Sequence, residues 1–247
     1  MPGEGEQIAK KTKGYLDISS GLAFSAIFVA PLLLAYEVGI ALVVPPLRNG
    51  AEIAVKLPLS FLGPAGALVF NFLIAAGVVA AYWRLSAERH FRALTFFLLF
   101  LESTVYAVAL VLVALLVQGA TLAVAAPVQI SPVAAVLLSI GAGVYEEFLF
   151  RLLLTGLLFY LLKGVAPQRS TFWPAMISVT LSALIFAAAH YVGSVSDTFS
   201  SSTFAFRFLA GLYLSAVYAS RGLGAAVYTH AIYDVIVFVV PLLVEGR

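Results

Sequence analysis

The chain contains no cysteine. That excludes a disulfide framework, a thiolate metal site and a thiol nucleophile. Charge is scarce: 11% of the 247 residues are Asp, Glu, Lys or Arg, against about 25% in ordinary soluble domains. The 14 Lys and Arg nearly cancel the 12 Asp and Glu, leaving a net charge of +2, too small to suggest a nucleic-acid partner. His-Glu-x-x-His, Gly-x-Ser-x-Gly and Gly-x-Gly-Asp are all missing, and with them the sequence signatures of three protease chemistries. No internal repeat, low-complexity tract or soluble domain stands out.

What fills the chain is hydrocarbon. Hydrophobic residues make up 62% of it, and the mean hydropathy is +1.05. A water-soluble globule of this size needs polar residues to cover its surface, whereas lipid leaves apolar surface without penalty. A span needs about 20 apolar residues to cross about 30 Å of hydrocarbon. Candidate spans are Leu22 to Val44, Ala65 to Trp83, Leu94 to Val117, Pro132 to Leu162, Pro174 to Tyr191, Phe204 to Ser220 and Leu223 to Val244. The fold expected is an all-α polytopic helical bundle of seven to eight transmembrane helices. Residues 1–247 form one membrane-embedded domain, with 1–17 a cytoplasmic segment and 132–244 the core that carries the motifs. The first apolar run is too long for a cleavable signal peptide and reads as a retained span. The fourth span is long enough that it must tilt, protrude or break. Ala51 to Phe61 and Ala120 to Ile130 read as interfacial or re-entrant pieces.

Orientation follows from the positive-inside rule. With the N-terminus in the cytoplasm, Lys10, Lys11, Lys13, Arg84, Arg89, Arg92, Lys163, Arg169 and Arg221 fall inside. Arg48, Lys56 and Arg247 fall outside, and Arg151 and Arg207 lie within spans. The location expected is a plasma membrane. Gly141-Ala142-Gly143 and Ala75-Ala76-Gly77 would let helices approach closely.

Ionisable side chains inside a span cost about 2.5–3.5 kcal/mol each on insertion scales and persist when paired or working. Here the spans hold Glu37, Glu146, Glu147, Arg151, His190, Arg207, His230 and Asp234, with Glu102 nearer an end. His90 lies in a basic loop. Glu147 and Arg151 are four apart in the order that favours a pair. Glu146 is rotated by about 100° from Glu147 and faces another neighbour. That suggests a structural Glu147–Arg151 pair and a Glu146 free for chemistry; spacing alone also allows both acids to share Arg151. Phe186-Ala187-Ala188-Ala189-His190 leaves room beside an imidazole. His230 and Asp234, four apart, share a helix face, where the carboxylate could orient the imidazole or join it in holding a water or metal. One shared polar cavity would satisfy all of these groups. Separations above about 12 Å between Glu146, His190 and His230 would exclude shared acid–base work. Counting along the spans puts Glu146 and His230 at middle depth but His190 near an outer end. Glu37 and Arg207 are expected to pair with cavity residues or line an entrance.

Glu-Glu-x-x-x-Arg, Phe-x-x-x-His and His-x-x-x-Asp, in that order between Val136 and Val239, resemble the CAAX protease and bacteriocin-processing (CPBP) intramembrane peptidases, which include the type II CAAX prenyl endopeptidases. The resemblance implies an intramembrane endopeptidase acting on a membrane-associated or lipidated substrate. It implies that Glu146 activates the attacking water, that His190 assists and that Glu147 and Arg151 support Glu146. His230 and Asp234 would bind the developing oxyanion or complete a metal site. The family has been described both as metallopeptidases and as glutamate-dependent peptidases without metal, and Glu146, His190 and His230 could hold zinc or run general-base chemistry. Where the family has Asn, this chain has Asp234; an ionised Asp only accepts hydrogen bonds, so Asp234 is protonated, orients His230 or ligates a cation. A transporter or proton relay, which would show matching polar residues in two repeated halves, and a non-catalytic scaffold or immunity factor are the alternatives.

Overall fold

The computed structural model describes residues 14–43, 48–87, 93–118, 131–165, 170–192 and 198–245. His90, the basic residues of 1–13 and 88–92, Arg169, Arg247 and the segment 120–130 lie outside them. Among the described residues every regular element is helical. Short α1 (Tyr15–Ser19) is followed by α2 (Leu22–Val43), short α3 (Gly50–Lys56) and a 3₁₀ turn (Leu57–Leu62). Then come α4 (Pro64–Ala87), α5 (Ala93–Gln118), α6 (Pro132–Glu146), a π-helical stretch (Glu147–Leu154), α7 (Thr155–Val165) and α8 (Phe172–Ala189). The chain ends in α9 (Ser201–Asp234), a second π stretch (Val235–Val239) and α10 (Val240–Glu245). Among the described residues six stretches are long and apolar enough to cross a membrane. The protein is an all-α, polytopic integral membrane protein.

The last stretch holds two of the expected spans. At Gly222 the backbone takes φ 82°, ψ 175° inside α9. The Phe206 and Tyr233 rings, on either side of it, lie 5.9 Å apart. A straight helix between them would run about 40 Å at about 1.5 Å per residue. The chain therefore doubles back at Gly222 into two arms, 201–221 and 223–243. Phe206, Ala210 and Leu214 of the first arm pack with Tyr233 and Val237 of the second and with Ala107, Leu110 and Ala114 of α5. Glycine is required at the reversal: its φ is left-handed, and a Cβ there would meet the Ser20 carbonyl oxygen at 2.4 Å. Next to it, Arg221 is buried rather than solvated. It donates to Glu102 through Nε (2.5 Å) and Nη2 (2.8 Å) and to Ser19 Oγ (3.0 Å). Tyr15 and Tyr106 donate to the same carboxylate at 2.7 and 2.6 Å. This cluster ties α1 and α5 to the turn and accounts for Glu102.

The fourth expected span continues unbroken from Pro132 to Val165, widening into the π stretch at the double-glutamate motif. Ser182 Oγ of α8 and Thr155 Oγ1 both donate to the Phe150 carbonyl, at 2.7 and 2.8 Å, within that widened turn. Gly143 permits close contact with the second arm of α9: a Cβ there would lie 2.8 Å from the Ala231 nitrogen and 2.9 Å from the Val227 oxygen. The other small-residue run behaves differently. A Cβ on Gly77 would meet nothing within 4 Å, because Gly77 faces an apolar crevice of about 510 Å³ between α2 and α4 that reaches Tyr145 and Phe148.

Candidate active site

Three helices converge at the π-helical turn. Phe150 and Phe186 stack edge-to-face at 5.3 Å, which sets the antiparallel register of α8 against the long α6–α7 rod. One helical turn further along the rod stands Glu146, level with the C-terminal end of α8 and its capping residue His190. This resolves the difference in depth read from span boundaries. The end of α8 lies beside the middle of a rod much longer than itself, so a residue at a helix end faces one at mid-rod. His230 enters from the second arm of α9, eight positions past the Gly222 turn.

The carboxylate of Glu146 is the meeting point. Its Oε2 lies 4.0 Å from His190 Nε2 and 3.9 Å from His230 Nε2. Its Oε1 accepts a hydrogen bond from Asn49 Nδ2 at 2.7 Å. Among the described residues, Oε2 itself receives no hydrogen bond although it is buried. Glu147 Oε2 in the same cluster is likewise without a hydrogen bond among the described residues, so what singles out Glu146 Oε2 is the pair of imidazoles that face it. His190 is anchored from behind, its Nδ1 2.9 Å from the Phe186 carbonyl oxygen. Nδ1 therefore carries the proton, and Nε2 is turned toward Glu146 as an acceptor in the neutral ring.

Glu147 faces away from Glu146, as the 100° rotation requires. It is fully buried, with Arg151 Nη1 at 3.0 Å. His230 Nδ1 donates to its Oε1 at 2.7 Å. A carboxylate can only accept, so this contact places the proton of the neutral imidazole on Nδ1 and leaves Nε2 toward the pocket. Asp234 Oδ2 stands 3.6 Å from that Nε2. Phe186 closes one wall: its ring is edge-on to His190 at 4.9 Å and to His230 at 6.1 Å, with the Arg151 guanidinium over it at 4.4 Å. All six residues singled out from the motifs are thus brought into one cluster. Glu37 is hydrogen-bonded to Tyr145, the neighbour of Glu146, and the charge of Arg207 acts on His190 and Asp234. Glu37 accepts from Lys56 Nζ (2.8 and 3.1 Å) and from the Tyr145 hydroxyl; the Arg207 guanidinium lies over the Tyr191 ring at 5.1 Å.

Asn49 is the site residue that sequence reasoning missed. It sits outside every span, in Arg48-Asn49-Gly50 before a short helix, where its side chain reads as an ordinary helix cap. It does cap: its Oδ1 accepts from the Ala51 N–H at 2.7 Å. No local signal shows that its other end reaches the fourth span.

Two imidazoles and a carboxylate are chemically suited to zinc. Their arrangement is not. Among the described residues no group of three His, Asp or Glu side chains could hold a metal ion. The 3.9 and 4.0 Å separations also exceed the edge of about 3.3 Å between ligand atoms that tetrahedral zinc imposes.

Residues 127–236 match the family model described as type II CAAX prenyl endopeptidase Rce1-like. The comparisons with curated proteins and with solved structures give no match. The matched segment contains Glu146, Glu147, Arg151, His190, His230 and Asp234, so the resemblance to the CAAX protease and bacteriocin-processing family is borne out for the part of the chain that carries the cluster. The family that this segment resembles is one of CAAX-type membrane proteases.

Proposed function

We propose that the protein is an intramembrane endopeptidase in which Glu146 activates a water for attack on a peptide bond. The observation that carries the reading is the placement of both imidazole Nε2 atoms within 4.0 Å of the one unpartnered oxygen of Glu146. Gaps of that size admit a single bridging water at hydrogen-bond lengths of about 2.8 Å. Glu146 takes a proton from this water, with His190 Nε2 accepting a second hydrogen bond and aiming the lone pair. The oxygen attacks the scissile carbonyl carbon, and the carbonyl electron pair moves onto its oxygen. His230, fixed through Nδ1 by Glu147, donates from Nε2 to that oxyanion in its protonated form, and Asp234 beside it supports the charged ring. Collapse of the adduct breaks the C–N bond, and Glu146 delivers its proton to the leaving amine. Arg151 holds Glu147 in its acceptor role. No step passes through a metal.

The substrate proposed is a membrane-associated peptide, with a prenylated C-terminus first in order, as the family description suggests. The setting proposed is a plasma membrane with the N-terminus in the cytoplasm. The test uses purified protein in proteoliposomes and internally quenched peptides of three kinds: a prenylated Cys followed by three residues, a leader peptide and a C-terminal sorting anchor. Cleavage of one of them by wild type, lost in Glu146→Gln, is expected. Equal cleavage by Glu146→Gln would overturn the reading.

A further inference from the structure

We propose that Asn49 is a positioning residue of the active site, supplied by a part of the chain outside the matched segment and aimed at Glu146 by an ionic anchor around the buried Glu52 of α3. The proposal rests on the assignment of Glu146 as the base. Three observations carry it. First, the two ends of the Asn49 amide are spoken for separately. Oδ1 caps α3 at Ala51 N, so Nδ2 is the end that meets Glu146 Oε1 at 2.7 Å. An amide offers both functions, and the cap decides which one faces the acid. Second, that hydrogen bond occupies Oε1, so the carboxylate cannot spin freely, and Oε2 is the oxygen left facing His190 and His230.

Third, α3 is far more firmly tied down than a short helix of seven residues needs to be. Glu52 is 3% exposed; it pairs with Arg48 Nη1 at 3.0 Å and Lys56 Nζ at 2.8 Å and accepts from the Tyr36 hydroxyl. Lys56 bridges onward to Glu37 of α2 at 2.8 Å, and Glu37 receives the hydroxyl of Tyr145, the residue before Glu146. One cation and two carboxylates thus link α3, α2 and the catalytic helix. A helix that merely connected two spans at the membrane surface would need none of them. The consequence is that residues 127–236 hold the reacting groups but not the whole active site.

The experiment compares Asn49→Ser and Asn49→Asp with wild type and Glu146→Gln. Serine and aspartate both keep the cap. Serine is too short to reach Glu146, and an aspartate puts a second carboxyl against it, which must share a proton with Glu146. With the prenylated quenched peptide, both variants should lose about 10- to 100-fold in kcat, as supporting residues do, with KM within about twofold and melting temperature unchanged. A structural role would instead lower the melting temperature and leave kcat per folded molecule intact. The second readout needs no turnover. The infrared carboxylate stretch that disappears in Glu146→Gln identifies the Glu146 band, and that band should shift in Asn49→Ser. Wild-type kcat in Asn49→Ser, or an unshifted Glu146 band, would overturn the proposal. Wild-type turnover in Glu146→Gln would overturn the function reading instead, so the two failures are distinct.

Discussion

His230 Nδ1 and Glu147 Oε1 are 2.7 Å apart, and this contact separates the roles of two adjacent glutamates. Glu147 is committed through that same Oε1 to Arg151 Nη1 as well, at 3.0 Å. Glu146, one residue earlier, turns its Oε2 toward two imidazole Nε2 atoms, at 4.0 and 3.9 Å. The same side-chain type therefore serves as an orienter at one position and as the candidate base at the next.

Neutralising the two acids should consequently separate stability from turnover. Glu147→Gln leaves the Arg151 guanidinium, 1% exposed, without its counter-charge. Breaking a buried pair from one side costs about 3–5 kcal/mol, and the His230 ring loses its carboxylate acceptor as well. Thermal denaturation in detergent should show a large fall in melting temperature, with kcat reduced in the molecules that remain folded. Glu146→Gln should melt close to wild type, because no cation is stranded, while its turnover falls to background. Equal melting temperatures for the two variants would contradict this division.

The pair also predicts non-additivity. Replacing both members, Glu147→Leu with Arg151→Met, removes two buried charges together, and such replacements are often neutral or stabilising. The double variant should recover most of the stability lost in either single variant, giving a coupling of about 2–3 kcal/mol in a double-mutant cycle. It should not recover activity, since His230 would lack its acceptor. Recovery of both would reduce Glu147 to a packing role.

Much of this site could be read from the sequence because its information is local. The i,i+4 spacing of Glu147 and Arg151, the rotation of Glu146 and the pairing of His230 with Asp234 all follow from helix period. The break between the last two spans was visible at Arg221-Gly222 as a charge and a glycine. What stayed hidden is long-range or depends on backbone detail. Asn49 meets Glu146 across 97 positions, and nothing near Asn49 in sequence distinguishes it from a plain cap. Glu37 reads as a costly charge within a span, and its partner Lys56 reads only as a charge on the outside. The π-helical widening at Glu147–Leu154 leaves the residue pattern unchanged. Equating span ends with membrane depth misplaced His190, because α8 ends beside the middle of a longer rod.

The reversal in α9 gives a prediction independent of chemistry. Gly222→Ala forces a Cβ into a backbone region that only glycine occupies without strain, at about 1–3 kcal/mol, and the new atom would sit 2.4 Å from the Ser20 carbonyl oxygen. Relief would require the turn to move away from Ser20, next to the Arg221–Glu102 cluster. A loss of about 2–4 kcal/mol in unfolding stability is expected. Gly156→Ala is the control: its Cβ would meet nothing within 4 Å, and alanine in a helix interior is neutral or favourable by up to about 1 kcal/mol. Equal effects at the two glycines would mean that the arms do not depend on this turn.

Chelation tests the chemistry of the pocket itself. If zinc joined Glu146, His190 and His230, their ligand atoms would have to close to about 3.3 Å from the 3.9 and 4.0 Å now between them. Turnover of the quenched peptide should therefore survive prolonged incubation with a strong chelator within about twofold, and metal analysis of the purified protein should find far less than one equivalent of zinc. The His190→Ala variant adds the decisive comparison. In a metal site it would abolish metal content along with activity. In a glutamate-driven site it should cut kcat by about 10²–10⁴, the usual contribution of a positioned acid–base group, with metal content unchanged. Activity that is lost in chelator and restored by added zinc would overturn the metal-free reading.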